Sequence, residues 1–516
     1  MLASLALSLV FAAVPALVNA QDGGAPSSDS AGNYTYSCDA TKCKIPTCNC
    51  ASTSAPGGLT PAQTPMFVLF TADDAVQPYT INSVNQFLSQ RKNPNGCPVK
   101  MTYFTSLAYT NYINVTEWYV AGNEIADHTM THVEWPSSAE INGNLIALNA
   151  LSGIPFSEIH GFRTPYLNFS AGTLEEVAAS QFLYDSSTSS SVPVNDPNTD
   201  AYWPYTLDNG LANSCDNEGI QGTVCSGKPA LPGLWEIPMY SIFDERGIEG
   251  IHLMDPWLDL PASGGTAPND TATLSWMKNT FTAHYNGNRQ PFGLYTHPIH
   301  VAPNVPGVLT PNSTIAMINQ FLDWAQTQPN VWIITNYQLI QWMQNPTAIA
   351  DLNNFAPFKC PVPQVSSAIC DGIPANELGL VQQCPFSDFP FGTCYGCPTT
   401  PPTTADPNPQ QATPTSGAAI RYRIPANCST PFWDPIGNKC LCTDSSCSFT
   451  DMSRTIGPNN STLTGGGNGT STATSAPSYV PFNGNGAFGG VVINPAVWFT
   501  GFAVVAGVLL GAGSLL

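Results

Sequence analysis

The chain has 516 residues, 43% of them hydrophobic, enough to bury one large core with appendages, which excludes a disordered body. Charge is sparse and lopsided: 35 acidic against 15 basic residues give a net −20, and no Lys/Arg cluster tracks a phosphate backbone, which argues against nucleic acid as a partner. A surface poor in charge and rich in Asn, Ser, Thr and aromatic residues suits a neutral polymer.

Residues 1–20 are apolar and end Val18-Asn19-Ala20, a small-residue cleavage pattern, so a secretory signal cut after Ala20 is expected although the usual positive n-region is missing. Residues 21–60 hold a compact cluster, Cys38, Cys43, Cys48 and Cys50. A long body follows over 61–358. Within it, apolar runs at 66–70, 99–105, 124–126, 159–163, 182–184, 234–239, 292–295 and 331–334 read as strands. Helical stretches near 81–90, 139–151 and 171–180 alternate with them; Ile141, Leu145 and Leu148 recur at helical spacing. Strand–helix alternation of this kind predicts an α/β protein whose parallel sheet closes as a β/α barrel.

A second cluster, Cys360, Cys370, Cys384, Cys394 and Cys397, occupies 359–397, and a Pro/Thr-rich linker, expected to be extended and O-glycosylated, runs over 398–427. Residues 428–447 carry Cys428, Cys440, Cys442, Cys447 and Trp433, readable as a sugar-binding knob or, more commonly, a disulfide-stabilised spacer. A Ser/Gly/Thr-rich stalk spans 448–490. The tail 491–516 is uncharged and apolar from Pro495 onward and follows the small residues Asn483 to Ala487, the order of a signal that is replaced by a glycolipid (GPI) anchor.

Sixteen cysteines, an even number, read as disulfides in an oxidising compartment. Cys360 is a candidate partner for Cys97, and Cys215 with Cys225 for a loop staple, but sequence leaves the pairings open. Asn33, Asn114, Asn168, Asn269, Asn312, Asn427, Asn460 and Asn468 begin glycosylation sequons, consistent with a secreted glycoprotein on the outer face of the plasma membrane or in the cell wall.

The chemistry-bearing residues gather at strand ends. Asp73-Asp74 closes the first strand, His128 and His132 follow the third, and Arg163, Asp185 and His297 end others. In a parallel barrel these ends share one rim, where active sites sit. HTMTH (128–132) places two imidazoles at i and i+4, which on a helical turn point the same way. With one carboxylate they make a three-ligand set for Zn²⁺ or a similar ion and leave a water position open. In an acidic doublet, one carboxylate binds the metal while its neighbour takes a proton from the acidified water. Each motif alone has a blander reading, a chance histidine pair or a solvated turn. Trp135, Tyr166, Trp203, Trp235 and Trp257 lie near the motifs, where aromatic faces either stack on sugar or bury area; Tyr166 and Trp203 are the candidates for substrate contact.

TADD (71–74), HTMTH (128–132), RTPY (163–166) and LYTH (294–297) resemble, in order, the motifs of the polysaccharide deacetylase family, carbohydrate esterase family 4. CDATKCKIPTCNC, RKNPNGCP, FLYDSS, WPYT, WEIPM and YQLIQWMQNP are similar to segments of arthropod-type chitin deacetylases, and the likeness covers about residues 38–360. It implies a distorted (β/α) barrel, a divalent cofactor with Zn favoured and Co allowed, and hydrolysis of N-acetyl groups on chitin or chitooligosaccharides. By the same resemblance Asp74, His128 and His132 are metal ligands, Asp73 is the base and Arg163 holds it. The Tyr166 N–H helps the oxyanion and His297 gives a proton to the departing amine. Asp185 matches the carboxylate that tunes that acid, with Asp255 in MDPW as the alternative. Ala72 departs from the pattern, which has Phe there; packing behind the doublet is lost, but no catalytic atom. Another acetylated polysaccharide as substrate, or a decayed chitin-binding surface protein, are the competing expectations.

Overall fold

The computed structural model describes residues 36–442, apart from 191–199, 214–226, 244–250, 258–268, 303–311, 361–367, 415–416, 426–427 and 429–431. It adds three short strands, Arg454–Ile456, Ser461–Leu463 and Val480–Pro481. The signal segment, the Cys215/Cys225 loop, Cys447, most of the stalk and the 491–516 tail lie outside the described residues.

The first strand, β1 (Met66–Asp74), is apolar almost throughout because both its faces are covered. Met66, Val68, Phe70 and Ala72 point into the layer shared with the helices. Phe67 and Leu69 alternate with them into the interior, against Trp332, Trp342 and Phe358. After α1 (Pro78–Leu88) come β2 (Thr102–Thr105), α2 (Tyr112–Val120), β3 (Glu124–Asp127), α3 (Ser138–Ser152), β4 (Gly161–Phe162), α4 (Ala171–Ala179) and β5 (Tyr184–Asp185). These four strands continue parallel from β1 in the order β1-β2-β3-β4-β5.

The remainder is less regular. Short strands β6 (Ser189–Ser190), β7 (Tyr205–Thr206), β8 (Trp235–Glu236), β9 (Met239–Tyr240), β10 (Ile242–Phe243) and β11 (Ile251–His252) precede α5 (Asp270–Asn286) and β12 (Phe292–Thr296). Then come α6 (Asn312–Gln326), β13 (Val331–Ile334) and α7 (Asn336–Gln344). Both β12 and β13 pair in parallel with β1, while β8 follows β5 and β7 is antiparallel at the far edge. The nine-stranded sheet is therefore mixed and curves as a half-barrel with helices outside it. Among the described residues the sheet does not close into a regular ring, and β6–β9 and β10–β11 form separate two-stranded pieces.

Local chemistry accounts for the element ends. Thr335 Oγ1 accepts from the Gln338 N–H at 3.1 Å while Gln338 Oε1 accepts from the Thr335 N–H, a reciprocal cap that starts α7. Gly153, with φ 66°, turns the chain left-handed at the end of α3, where its N–H still reaches the Asn149 carbonyl. The helices α2, α5, α6 and α7 are additions to the three stretches expected from periodicity. HTMTH also differs from expectation: it is a loop, with Thr129 at φ 66° and His132 at φ 57°, not a helical turn.

Six disulfides close among the described residues: Cys38–Cys50, Cys43–Cys48, Cys97–Cys360, Cys370–Cys394, Cys384–Cys397 and Cys428–Cys440. Cys97–Cys360 spans 263 residues and clips the two ends of the body together. The described part of 398–427 is not free of the rest. Arg421 donates to the carbonyls of Gly379 and Leu380, and Ile424 enters a small core with Cys370, Cys394, Cys428 and Trp433. Buried donors and a buried Ile outweigh the Pro/Thr bias towards an extended tether.

Candidate active site

Register brings the chemistry to one rim. Thr71 and Ala72 of β1 lie beside Thr102 and Tyr103 of β2 and beside Tyr295 and Thr296 of β12; Asp127 of β3 pairs with Phe162 of β4, and Phe162 with Asp185 of β5. Asp73, Asp74, His128, Arg163, Asp185 and His297 therefore stand at successive carboxyl ends of one parallel sheet.

Asp74, His128 and His132 converge, each offering one donor atom within 4.8 Å of the others. The His132 Nε2 is 3.1 Å and the His128 Nε2 3.8 Å from Asp74 Oδ1, a buried oxygen without a hydrogen bond of proper angle. His128 Nδ1 lies 2.8 Å from the Arg163 carbonyl, which can only accept. Nδ1 therefore carries the proton, and Nε2 presents its lone pair to the cluster. Burial lowers the His128 imidazole to about 4, so it is neutral at pH 7. Burial also pushes the Asp74 carboxyl upward, but neighbouring His132, with the charges of His297 and His128, outweighs it and holds the group well below the usual carboxylate range. The orphaned Asp74 oxygen and the His128 Nε2 lone pair, with His132 Nε2 beside them, repel one another unless a proton or a cation lies between them. One carboxylate and two imidazoles are the donor set a Zn²⁺-like ion takes, with a position left open.

The loop that carries the two histidines is held from outside. Ser106 Oγ donates to the His128 carbonyl at 2.8 Å, and Glu140 of α3 accepts from both N–H and hydroxyl of Thr131. Asp74, Thr129, His132, Tyr166, Leu167 and Asp255 all have positive φ, a conformation that costs a non-glycine residue on the order of 1 kcal/mol or more. Strain is concentrated where side chains must be aimed.

Asp73 is buried beside Asp74 but turned to another partner. Arg163, fully enclosed, donates through Nη1 to Asp73 Oδ1 at 2.7 Å and to Thr71 Oγ1 at 2.9 Å. Its Nε and Nη2 are fixed by the Ser186 carbonyl and hydroxyl, and its guanidinium lies 3.9 Å over the Phe104 ring. A buried cation with this one carboxylate partner fixes the orientation of Asp73. Ala72 faces the helix layer, away from these groups.

His297 and its partner correct one expectation. Asp255 Oδ2 is 2.6 Å from His297 Nδ1, and Asp255 Oδ1 accepts from Thr296 Oγ1 at 2.6 Å and the His297 N–H at 3.1 Å. Burial would lower the imidazole, but the Asp255 carboxylate, with Asp74 and Asp73 behind it, raises it to about 10. His297 is thus an imidazolium at neutral pH. Asp185 does not touch it. The Asp185 carboxylate accepts from the Ser187 N–H and hydroxyl and lies against Glu236, whose own Oε1 accepts from Thr188. Burial raises both carboxyls, so a proton is held between them. Ser187 Oγ also accepts from the Thr164 N–H, so this pair steadies the RTPY loop from beneath.

The aromatic candidates divide. Tyr166 is half-buried, its ring 4.6 Å from that of His132. Trp203 is buried, its ring tilted against Trp342 at 5.5 Å and its Nε1 donating to the Asn288 carbonyl, so it packs the core. Trp235 and Trp257 are also buried, whereas Trp135 is exposed. Tyr79, in the first turn of α1, and Tyr109, between β2 and α2, are exposed, and a single aromatic at such a position carries no periodic signal in the sequence.

No protein-family model matches the chain. It is 32% identical over 335 residues to chitin deacetylase 8 of Bombyx mori, covering 60% of this chain and 79% of that protein. Chitin deacetylase 1 of Bombyx mori is 28% identical over 400 residues, covering 73% and 70% respectively. Among solved structures, a putative polysaccharide deacetylase from Mycobacterium smegmatis matches at TM-score 0.37 and 17% identity, over 61% of this chain and 100% of that one. A family 4 carbohydrate esterase from Streptomyces lividans in complex with acetate matches at TM-score 0.26 and 15% identity, over 52% and 91%.

Proposed function

The chain belongs to the polysaccharide deacetylase family, carbohydrate esterase family 4, on its chitin deacetylase side, and from that premise we propose that it removes N-acetyl groups from chitin or chitooligosaccharides. It is a hydrolase of amide C–N bonds. The observation that carries the reading is the convergence, on one rim, of an Asp–His–His donor set, an Arg-held aspartate and an Asp-held imidazolium.

A divalent ion held by Asp74, His128 and His132, Zn²⁺ before Co²⁺, would supply Lewis-acid polarisation of the acetyl carbonyl and acidify a water. Asp73, kept in place by Arg163, takes the proton as the water oxygen bonds to the carbonyl carbon. The backbone at Tyr166, in its left-handed turn beside His132, is the candidate donor to the developing oxyanion. His297 gives its proton to the amide nitrogen, so that the C–N bond breaks to a neutral amine and acetate remains. Asp255 keeps that proton in place until it is needed.

Delivery to the cell surface belongs to the same proposal. Six disulfides support passage through an oxidising compartment, and the apolar segments at 1–20 and 495–516 support secretion and glycolipid anchoring. Among the described residues no helix is long and apolar enough to cross a membrane. Release from intact cells by a phosphoinositide-specific phospholipase is the expected outcome; retention after treatment contradicts anchoring.

Acetate release from chitin oligomers tests the chemistry. Chelation abolishes turnover and added Zn²⁺ or Co²⁺ restores it, while Asp73→Asn retains metal but loses on the order of 10²–10⁴ in kcat. Activity that survives both treatments contradicts the mechanism.

A further inference from the structure

The large apolar side chains left exposed among the described residues are few: Tyr79, Tyr109, Trp135, Leu378, Ile420 and Tyr422. Three of them are aromatics that follow β1, β2 and β3 on the side of the active rim, one in the first turn of α1 and two on loops. Tyr79 opens α1 a few residues beyond Asp74, Tyr109 is 66% exposed between β2 and α2, and Trp135 follows His132 by three residues. Their loops are tied to the metal-ligand loop. The Leu107 and Ala108 N–H groups donate to the carbonyls of Thr129 and Met130, and Gln77 Nε2 donates to the Tyr109 carbonyl.

A second element reaches the same place from the cysteine-rich extension. Strands β14 (Gln382–Cys384) and β15 (Phe391–Thr393) form a hairpin stapled by Cys384–Cys397. It is docked firmly on the body: the Gly392 N–H donates to Asn111 Oδ1 at 2.8 Å, Thr393 Oγ1 to the Leu151 carbonyl at 2.6 Å, and Phe391 packs 4.8 Å from Tyr112. Its tip carries Phe389, whose ring meets Tyr109 edge-on at 5.7 Å. Tyr109 thus remains open to solvent on one side while the extension fixes it from another. An exposed ring held rigid loses little entropy on binding.

We propose that Tyr109, braced by Phe389 of the extension, is a sugar-stacking ledge that binds units of the polymer beyond the one being deacetylated, so that the extension sets a preference for longer oligomers. Single aromatic faces separated by polar loops suit a pyranose ring, with C–H bonds to lay on a face and hydroxyls to reach the loops. They do not form the contiguous apolar patch that a protein partner covers. Continuity with the metal-ligand loop places the ledge along the same substrate, and the inference rests on the deacetylase reading of that site.

The test compares dimers and hexamers of N-acetylglucosamine with the full, metal-loaded chain. Tyr109→Ala lowers kcat/KM on the hexamer about five- to tenfold, chiefly through KM, changes the dimer less than about twofold, and Tyr109→Trp restores the hexamer. Leu378→Ala, exposed on the extension but away from the rim loops, changes neither. Equal loss on both substrates, or none on either, overturns the ledge. If wild type releases no acetate from any oligomer, the deacetylase reading fails. Calorimetric titration with both oligomers then decides the ledge alone: Tyr109→Ala weakens hexamer binding about fivefold and spares the dimer, and unchanged hexamer affinity overturns it.

Discussion

Asp74, His128 and His132 lie on one side of the end of β1, and Asp255, His297 and His300 on the side of β12; each set is one carboxylate and two imidazoles with donor atoms within 4.8 Å. They differ in where the protons are. In the first, His128 spends its N–H on a backbone carbonyl and Asp74 Oδ1 has no proper donor, so lone pairs face inward. In the second, Asp255 accepts from the Thr296 hydroxyl, the His297 N–H and the His297 ring, so protons already occupy most of its lone pairs. A 3₁₀ turn, Pro298–Val301, brings His300 onto the same face as His297, three residues before it. Composition makes both sets look like metal sites. Hydrogen bonding leaves one set able to hold a cation and makes the other a proton store.

The sharpest way to break this comparison is to empty the proton store. Asp255→Asn removes the charge that raises His297. An imidazolium held to about pH 10 is lost only as pH rises through that value, so wild type keeps its rate until then. The variant should lose about a hundredfold in kcat/KM at neutral pH, and its alkaline limb should move down towards the ordinary imidazole value of about 6.5. Metal content stays the same. A pH–rate profile with metal analysis checks both, and an unmoved limb contradicts the assignment.

The second prediction separates Asp255 from the other buried carboxylate. Glu236→Ala leaves Asp185 and Thr188 without their partner and should cost about 2 kcal/mol in denaturant unfolding. Glu236→Gln, which can still donate to Asp185 and accept from Thr188, should cost less than about 1 kcal/mol. Neither should shift the alkaline limb. The smallest effect belongs to His300→Ala: turnover within about threefold of wild type and full metal occupancy. Metal loss on that substitution would make the second set a metal site after all.

Much of this was legible in the sequence because parallel strands buried on both faces print as apolar runs, and the residue after each run lands on one rim. Asp73, Asp74, His128 and Arg163 follow from that rule, and the structure brings them together. Cys97 with Cys360 also closes as the candidate pair. The rest depended on details that periodicity does not carry. HTMTH spacing suits a helix, but its orientation comes from left-handed turns at Thr129 and His132. Asp185 and Asp255 both sit near strand ends, and only the isolated bridge between Met254 and Tyr295 puts the second beside His297. Trp203 has the composition of a sugar platform but is enclosed by Trp342. Between β5 and α5 the single run at 234–239 is legible as strand, but it divides into β8 and β9, and the other two-residue strands there are too short for any alternation.

Anomalous diffraction at the zinc edge, on crystals of the full chain grown with Zn²⁺, tests the central contrast directly. One peak is predicted, within bonding distance of Asp74 Oδ1, His128 Nε2 and His132 Nε2, with none between His297 and His300. A peak at the second set, or none at the first, contradicts the account.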